Sequence, residues 1–181
     1  MCGIVGVISK DGDVGYDLYD ALLTLQHRGQ DATGIATFNG ILHLKKGIGL
    51  VQRVFNHKNL ARLRGPVGIG QTRYPTIGRG SPEDAQPFYV NYPHGVTMVH
   101  NGNVINFFTL KKELQEVHRR QLNSTSDVEA ILNVFADELG HRNTSSFSLD
   151  DLFEAVELDP KINDSRKDEP GIQEPLQLPL L

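Results

Sequence analysis

The 181-residue sequence has one cysteine, no tryptophan, and no apolar run near the roughly 18 residues that a membrane span needs. A single cysteine cannot form a disulfide within the chain. The N-terminus also lacks the basic segment followed by an apolar one that a secretory signal would show. These absences predict a cytoplasmic protein with no membrane partner.

The sequence also lacks an excess of basic residues. Its 18 basic and 22 acidic residues give a net charge of −4, which argues against nucleic acid as the main partner. The charge is uneven, because residues 150–181 hold nine acidic residues and three basic ones. From residue 158 onward, four prolines and scattered leucines follow no period. We therefore predict a disordered acidic tail at 158–181 and a folded domain at 2–157.

The rest of the sequence alternates strand and helix patterns. Apolar and β-branched runs predict strands at 3–8, 33–38, 41–46, 67–72, 88–92 and 96–100. Helical spacing predicts helices at 15–29, 58–63, from 110, from 127 to 140, and at 150–157. Asn39-Gly40 is a strong hairpin signal, and the segment 126–129 matches a capping box. Hairpins combined with helices predict an α+β fold with a largely antiparallel sheet.

Cys2 follows the initiator methionine, so removal of Met1 would leave a thiol and a free amine on one residue. A thiol with a pKa of about 8.5 and an α-amine with a pKa near about 8 can act as nucleophile and base. The alternative is that Cys2 is a small apolar core residue, as lone cysteines usually are. Its position alone favours the core interpretation.

Other residues could complete a site for a thiol nucleophile. Asn101-Gly102 supplies a side-chain amide and an unobstructed backbone N–H, the donors that oxyanion holes use, but it also suits an ordinary turn. Arg73 could bind a carboxylate through two hydrogen bonds, although most arginines are simply solvated. Asp127 could bind an ammonium group or favour a helix N-terminus. Arg28 fits the surface at a helix end.

Metal and phosphate sites find little support. Seven histidines are present, but there is no His-Glu-x-x-His motif and no second cysteine. The Gly-Ile-Gly segments at 47–49 and 68–70 lack the other residues of phosphate loops. We expect neither a metal nor a cofactor in this domain.

Five segments together resemble the class II glutamine amidotransferase domain. They are Cys-Gly-Ile-Val-Gly at 2–6, His-Arg-Gly-Gln-Asp at 27–31, Thr-Arg-Tyr-Pro-Thr at 72–76, Gln-Pro-Phe at 86–88 and His-Asn-Gly-Asn at 100–103. Within this family the segments are most similar to those of amidophosphoribosyltransferases. The resemblance spans about residues 2–157, so the N-terminal-nucleophile hydrolase fold that it implies, an αββα sandwich, is expected to be incomplete at its C-terminal end.

The resemblance implies a role for each candidate residue. Cys2 would attack the side-chain amide of glutamine, with Asn101 and the Gly102 N–H as the oxyanion hole. Arg73 would bind the α-carboxylate and Asp127 the α-ammonium group of the substrate. Thr76 would lie in the loop that closes on glutamine. Arg28 would lie near the nucleophile.

In the full family enzyme, the resemblance implies that ammonia passes to a second domain. That domain uses phosphoribosyl pyrophosphate and Mg²⁺ to make phosphoribosylamine for purine synthesis, and the homo-oligomer would form through it. We expect it to be absent here. Two functions therefore stay open: a glutamine-hydrolysing domain, or a truncated, non-catalytic product that binds a partner or is unstable because an apolar sheet edge is exposed.

Overall fold

The computed structural model describes residues 2–74, 81–141 and 148–157. The strands are β1 (Gly3–Ile8), β2 (Ala32–Phe38), β3 (Leu42–Ile48), β4 (Val67–Arg73), β5 (Phe88–Val90) and β6 (Val96–Met98). The helices are α1 (Gly15–Thr24), α2 (Val51–Val54), α3 (His57–Leu60), α4 (Phe107–Glu116), α5 (Asp127–Gly140) and α6 (Leu149–Glu157). Two 3₁₀ helices cover Leu25–Arg28 and Pro82–Asp84. The tail predicted at 158–181 lies outside the described residues.

Four strands form one antiparallel sheet in the order β1-β4-β2-β3. The predicted hairpin is confirmed, because β2 pairs with β3 from Phe38↔Leu42 to Ala32↔Ile48. Gly40 in its turn has a φ of 97°, which glycine adopts without strain. The two strands that are far apart in sequence, β1 and β4, pair from Gly3↔Thr72 to Ile8↔Val67. This pairing brings Cys2 to the same end of the sheet as Arg73.

Helix α1 packs on one face of this sheet, which we call the outer face. Leu18 and Leu22 of α1 are fully buried there. A Cβ atom at Gly68 would lie 2.6 Å from Leu18 Cδ1, and one at Gly70 would lie 3.0 Å from Leu22 Cδ1. The glycines of β4 therefore allow the close approach that the sequence predicted. The core on this side comprises Val14, Leu18, Leu22, Ile35, Val51, Val54, Phe55, Leu60 and Leu63.

The opposite, inner face of the sheet meets the second hairpin. A Cβ atom at Gly34 would lie only 2.1 Å from the carbonyl oxygen of Gln86. The Lys46 ammonium group donates to the Ala85 carbonyl at 2.5 Å and lies 4.3 Å from the centre of the Phe88 ring. Strands β5 and β6 in turn pack on α5, with Phe88, Val128 and Leu132 buried between them. The layers run helix, sheet, sheet, helix, so the predicted αββα arrangement and α+β class are confirmed.

Several details correct the predictions. The predicted helix at 15–29 changes to a 3₁₀ helix at Leu25, β6 ends at Met98 instead of residue 100, and the short α2 was not predicted. Helix α5 begins at Asp127 as predicted, but Ser126 makes no side-chain capping bond. The capping box is wrong because the Glu129 carboxylate accepts hydrogen bonds from the Asn123 and Ser124 N–H groups and the Ser124 hydroxyl.

Helix α6 has the reciprocal cap that α5 lacks. The Ser148 N–H donates to the Asp151 carboxylate at 2.7 Å, and the Asp151 N–H donates to the Ser148 hydroxyl at 3.2 Å. The helix predicted at 150–157, beginning near Ser148, is therefore confirmed.

The far end of the inner face is exposed. Ile8 is 81% exposed and Phe38 is 52% exposed, and both pair with Val67, which is also exposed. The prediction from the sequence concerned an apolar edge, whereas the structure exposes apolar side chains on a face. Among the described residues, no helix is long and apolar enough to cross a membrane.

Candidate active site

Cys2 lies immediately before β1 and is half-buried. Its Sγ lies 3.7 Å from the Tyr74 carbonyl oxygen, and its backbone N–H donates to Asn101 Oδ1 at 3.2 Å. Its carbonyl accepts from Arg28 Nε at 3.0 Å. These polar contacts and the partial exposure do not support the interpretation of Cys2 as an apolar core residue.

Two glycines of the motifs allow this convergence. A Cβ atom at Gly3 would lie 2.7 Å from Thr72 Oγ1 and 2.9 Å from Leu25 Cβ. A Cβ atom at Gly29 would lie 2.5 Å from the carbonyl carbon of Arg73. Any larger residue at either position would push the N-terminus or the 25–29 turn away from the end of β4.

Arg28 and the turn that carries it are held by Gln26. The Gln26 side chain donates to the Gly29 carbonyl at 2.5 Å and accepts from the Val51 N–H at 2.7 Å. This fixes the turn against the start of α2. Arg28 lies at the end of the first 3₁₀ helix, is partly buried, and contacts Cys2 from a supported position.

Asn101 and Gly102 occupy an exposed turn after β6, with their neighbour His100 firmly anchored. The His100 N–H donates to Gln86 Oε1 at 2.7 Å, and the His100 carbonyl accepts from Gln71 Nε2 at 2.7 Å. Because Asn101 Oδ1 accepts from the Cys2 nitrogen, its Nδ2 is the atom of that amide that can donate elsewhere. The turn therefore presents an amide donor beside the cysteine.

Arg73 ends β4 and is buried, so the interpretation as a solvated arginine is wrong. Its Nη1 lies 4.0 Å from Oδ2 of Asp84, which is fully buried in the second 3₁₀ helix. The sequence carries no signal for Asp84, because this residue belongs to no motif and follows no apolar period.

Asp127 is the first residue of α5, where the negative charge of a carboxylate interacts favourably with the helix dipole. It is also buried, and its Oδ2 accepts from the Val104 N–H at 2.9 Å. Burial lowers the pKa of His100, and the negative charge of Asp127 opposes that shift. Asp127 thus lies close to the turn that carries Asn101 and Gly102. The last candidate, Thr76, lies outside the described residues.

The structure therefore brings Cys2, Arg28 and Asn101 into direct contact, and places Arg73 at the same end of the sheet. Asp127 accepts a hydrogen bond from the Val104 N–H, two residues beyond the turn at 101–102. A nucleophile, a hydrogen-bonding turn, a buried cation and a buried carboxylate are the groups required to hold and cleave an amide that carries charged substituents.

The chain matches a family model described as "Glutamine amidotransferase domain" over residues 57–150. It is 52% identical over 157 residues to an amidophosphoribosyltransferase of Pseudomonas aeruginosa, covering 86% of this chain and 31% of that protein. It is 42% identical over 161 residues to that of Saccharomyces cerevisiae, covering 87% of this chain and 32% of the relative. The chain thus spans about a third of the length of these relatives.

Solved structures agree. One described as the allosteric regulatory enzyme of purine biosynthesis superposes with a TM-score of 0.70 and 28% identity, covering 87% of this chain and 33% of that one. Glutamine phosphoribosylpyrophosphate amidotransferase from B. subtilis, complexed with ADP and GMP, superposes with a TM-score of 0.69 and 27% identity, covering 87% and 32%.

Proposed function

Because this chain belongs to the glutamine amidotransferase domain family, we propose that it hydrolyses the side-chain amide of glutamine to glutamate and ammonia. The observation that carries the proposal is the hydrogen bond between the Cys2 nitrogen and Asn101, which brings a nucleophile and an amide donor together. The protein uses glutamine as its substrate, and this reaction needs no cofactor or metal.

The chemistry starts once Met1 is removed, because the Cys2 nitrogen then becomes an α-amine. That amine accepts the thiol proton as the sulfur adds to the amide carbon of glutamine. The carbonyl oxygen becomes an oxyanion, which Asn101 Nδ2 and the Gly102 N–H stabilise. The amine returns the proton to the leaving nitrogen, ammonia departs, and a γ-glutamyl thioester forms. Water then adds to the thioester, which releases glutamate and restores the thiol.

In this proposal two residues pair with the substrate, one orients the nucleophile and one belongs to the covering loop. Arg73, at the end of β4, pairs with the α-carboxylate, and Asp127, at the start of α5, pairs with the α-ammonium group. Arg28 holds the Cys2 carbonyl and so orients the nucleophile from behind. Thr76 belongs to the loop that covers glutamine.

In the whole protein, we propose that the ammonia replaces pyrophosphate on phosphoribosyl pyrophosphate, which gives phosphoribosylamine for purine synthesis. The similarity to amidophosphoribosyltransferases supports this step. It takes place in a Mg²⁺-dependent second domain, through which a cytoplasmic homo-oligomer forms. The chain described here contributes the ammonia.

Glutamate release by the purified, Met1-free chain tests the hydrolysis. Intact mass confirms the loss of Met1, because a retained methionine would leave the site without its base. We expect Cys2→Ala to reduce the rate by at least about a thousandfold, since the nucleophile is lost. Asp20→Asn, an exposed change on α1, serves as a control that keeps full activity.

A second readout is covalent. A diazoketone analogue of glutamine should add to the wild-type chain once, and glutamine should protect against it. Because the chain has a single cysteine, the labelled residue is unambiguous. A folded, Met1-free chain that neither releases glutamate nor takes the label would contradict the proposal.

The exposed apolar end of the inner face favours a second candidate function, a non-catalytic product that binds a partner. This second function requires that the chain folds but does not release glutamate. It also requires that a partner covers Ile8, Phe38 and Val67 in a complex. The same assay separates the two candidates, because only the first releases glutamate.

A further inference from the structure

We propose that Asp84 is a positioning residue that holds Arg73 and Asp127 at the spacing required by the two α-groups of glutamine. This inference rests on the proposed function. Among the described residues, Asp84 makes polar contacts with Thr125, Ser81 and Arg73, and not with the Cys2 sulfur or the turn at 101–102. It acts through the two residues that bind substrate.

Asp84 is a fully buried carboxylate, with 0% of its surface exposed. Burying such a group is costly unless it has strong partners. Asp84 Oδ1 accepts from the Thr125 N–H at 2.9 Å and from the Thr125 hydroxyl at 3.1 Å. Oδ2 accepts from the Ser81 N–H at 3.4 Å. Although burial acts to raise it, these bonds and the Arg73 charge lower the pKa of Asp84, which keeps it ionised at neutral pH.

One oxygen of the Asp84 carboxylate, Oδ2, faces Arg73. The distance of 4.0 Å from Oδ2 to Nη1 is too long for a hydrogen bond. Asp84 therefore attracts the guanidinium through its charge at this distance. The negative charge fixes where the cation sits inside the protein.

The Asp84 carboxylate also contacts the segment that leads into α5. Thr125, which both oxygens of Asp84 contact, lies two residues before Asp127. The preceding residue, Ser124, is itself held by Glu129 through its N–H and hydroxyl. Asp84 thus anchors the turn from which α5 begins, and it thereby sets the position of Asp127.

These contacts make Asp84 the link between the two proposed receptors for the substrate's charged groups. A purely structural acceptor would affect every substrate equally. A positioning residue would instead change how strongly the site prefers substrates that carry both α-groups. The two roles therefore differ in a measurable ratio.

The test uses the full, Met1-free chain and the variant Asp84→Asn. Asparagine has the same shape, but its NH₂ group must face either Thr125 or Arg73. Three amides are compared: glutamine, 4-aminobutanamide, which lacks the α-carboxylate, and 4-carbamoylbutanoate, which lacks the α-ammonium group. We expect KM for glutamine to rise about tenfold with kcat within about threefold, as for loss of one charged contact.

The decisive quantity is the ratio of kcat/KM for glutamine to that for each analogue. We expect Asp84→Asn to reduce both ratios by about fivefold or more. Asp13→Asn is the matched control, because Asp13 Oδ1 accepts from the Gly65 N–H at 2.7 Å in a different part of the chain. It should lower stability and leave both ratios at the wild-type value. Unchanged ratios in Asp84→Asn would overturn the inference.

If Asp84→Asn does not fold, Thr125→Val replaces it, because that variant keeps the N–H bond and loses the hydroxyl bond. We expect a shift of both ratios in the same direction, by about twofold; unchanged ratios would contradict the inference. Calorimetric titration with L-glutamate separates this idea from the proposed function. A chain that binds glutamate without hydrolysing glutamine, and that binds it about tenfold more weakly after Asp84→Asn, supports the positioning role alone. A wild-type chain that does neither contradicts both.

Discussion

The inner face of the four-stranded sheet differs between its two ends. At the site end, Gly34, Gln71 and Arg73 are covered by the 84–88 segment and the turn at 100–102. At the other end, Ile8 and Phe38 are exposed. Polar and charged groups are thus buried where the site lies. Ile4 and Ile48 at that end are partly exposed, but the most exposed apolar side chains of this face, Ile8 and Phe38, lie at the other end. This is the reverse of what burial of apolar surface alone would produce.

Burial of polar and charged side chains at the covered end costs free energy of folding. Burial lowers the pKa of Lys46, although the charges of Glu129, Asp84 and Glu83 oppose the shift. Gln71 is buried, and its Oε1 has no hydrogen-bond partner among the described residues. Buried polar groups without full hydrogen bonding lower the stability of a fold, so their presence here calls for an explanation such as a functional role. The comparison indicates that the site end of the inner face is arranged for chemistry, whereas the outer face is packed with apolar side chains such as Leu18 and Leu22.

The largest expected effect comes from adding a methyl group to one of two glycines on the inner face, Gly34 near the site or Gly6 in the middle of β1. A Cβ atom at Gly34 would lie 2.1 Å from a backbone oxygen, whereas one at Gly6, on the same face, would lie 3.9 Å from Ile69 Cγ2. We expect Gly34→Ala to lower the free energy of unfolding by about 3 kcal/mol, because the two sheets must separate. Gly6→Ala should change it by no more than about 0.5 kcal/mol. Urea unfolding of the two variants measures both, and equal losses would contradict the comparison.

A smaller effect is expected from pH at the covered end. The pKa of His100 is lowered in the folded chain, so the unfolded chain binds the proton more tightly. The contribution of His100 to stability is therefore full above its unfolded pKa of about 6.5 and is lost as pH falls through the folded value. Urea unfolding at pH 7.5 and 5.0 should show a decrease in stability that is smaller in His100→Gln. An identical decrease in both proteins would show that His100 is not the group responsible.

The smallest expected effect on stability is at the open end. We expect Ile8→Thr to change the free energy of unfolding by less than about 0.5 kcal/mol, because the side chain is already largely in water. The same variant should reduce self-association in light scattering, since it removes exposed apolar surface. Val117→Thr, an exposed position at the end of α4, is the control and should leave association unchanged. A similar fall in both variants would show that the inner face is not the associating surface.

Much of the fold was predictable because its signals are local. The β-branched run of β1, the Asn39-Gly40 turn and the apolar spacing of α5 each specify an element without help from the rest of the chain. The errors came where the local pattern does not decide which groups pair or is too short to show a period. The capping box at 126–129 fails because Glu129 is taken by Asn123 and Ser124. Helix α2 was missed because four residues show no period.

Some residues of the site were predictable from local motifs, and others were not. The motifs indicated Cys2, Arg28 and Asn101, and the structure places them in contact. Asp84 could not be found from the sequence, because a carboxylate in a short proline-containing loop looks like an ordinary solvated residue. Only its complete burial between Arg73 and Thr125 distinguishes it.

The amino-acid sequence by itself determined the elements and the chemical types at the site, since propensity, apolar period and motif are properties of neighbouring residues. The tertiary structure decided which of those groups meet. The pairing of β1 with β4 brings Cys2 beside the segment that follows Arg73, and the stacking of the two sheets buries Asp84. Contacts between residues 40 to 100 positions apart depend on the cooperative packing of the whole chain, which no local pattern encodes.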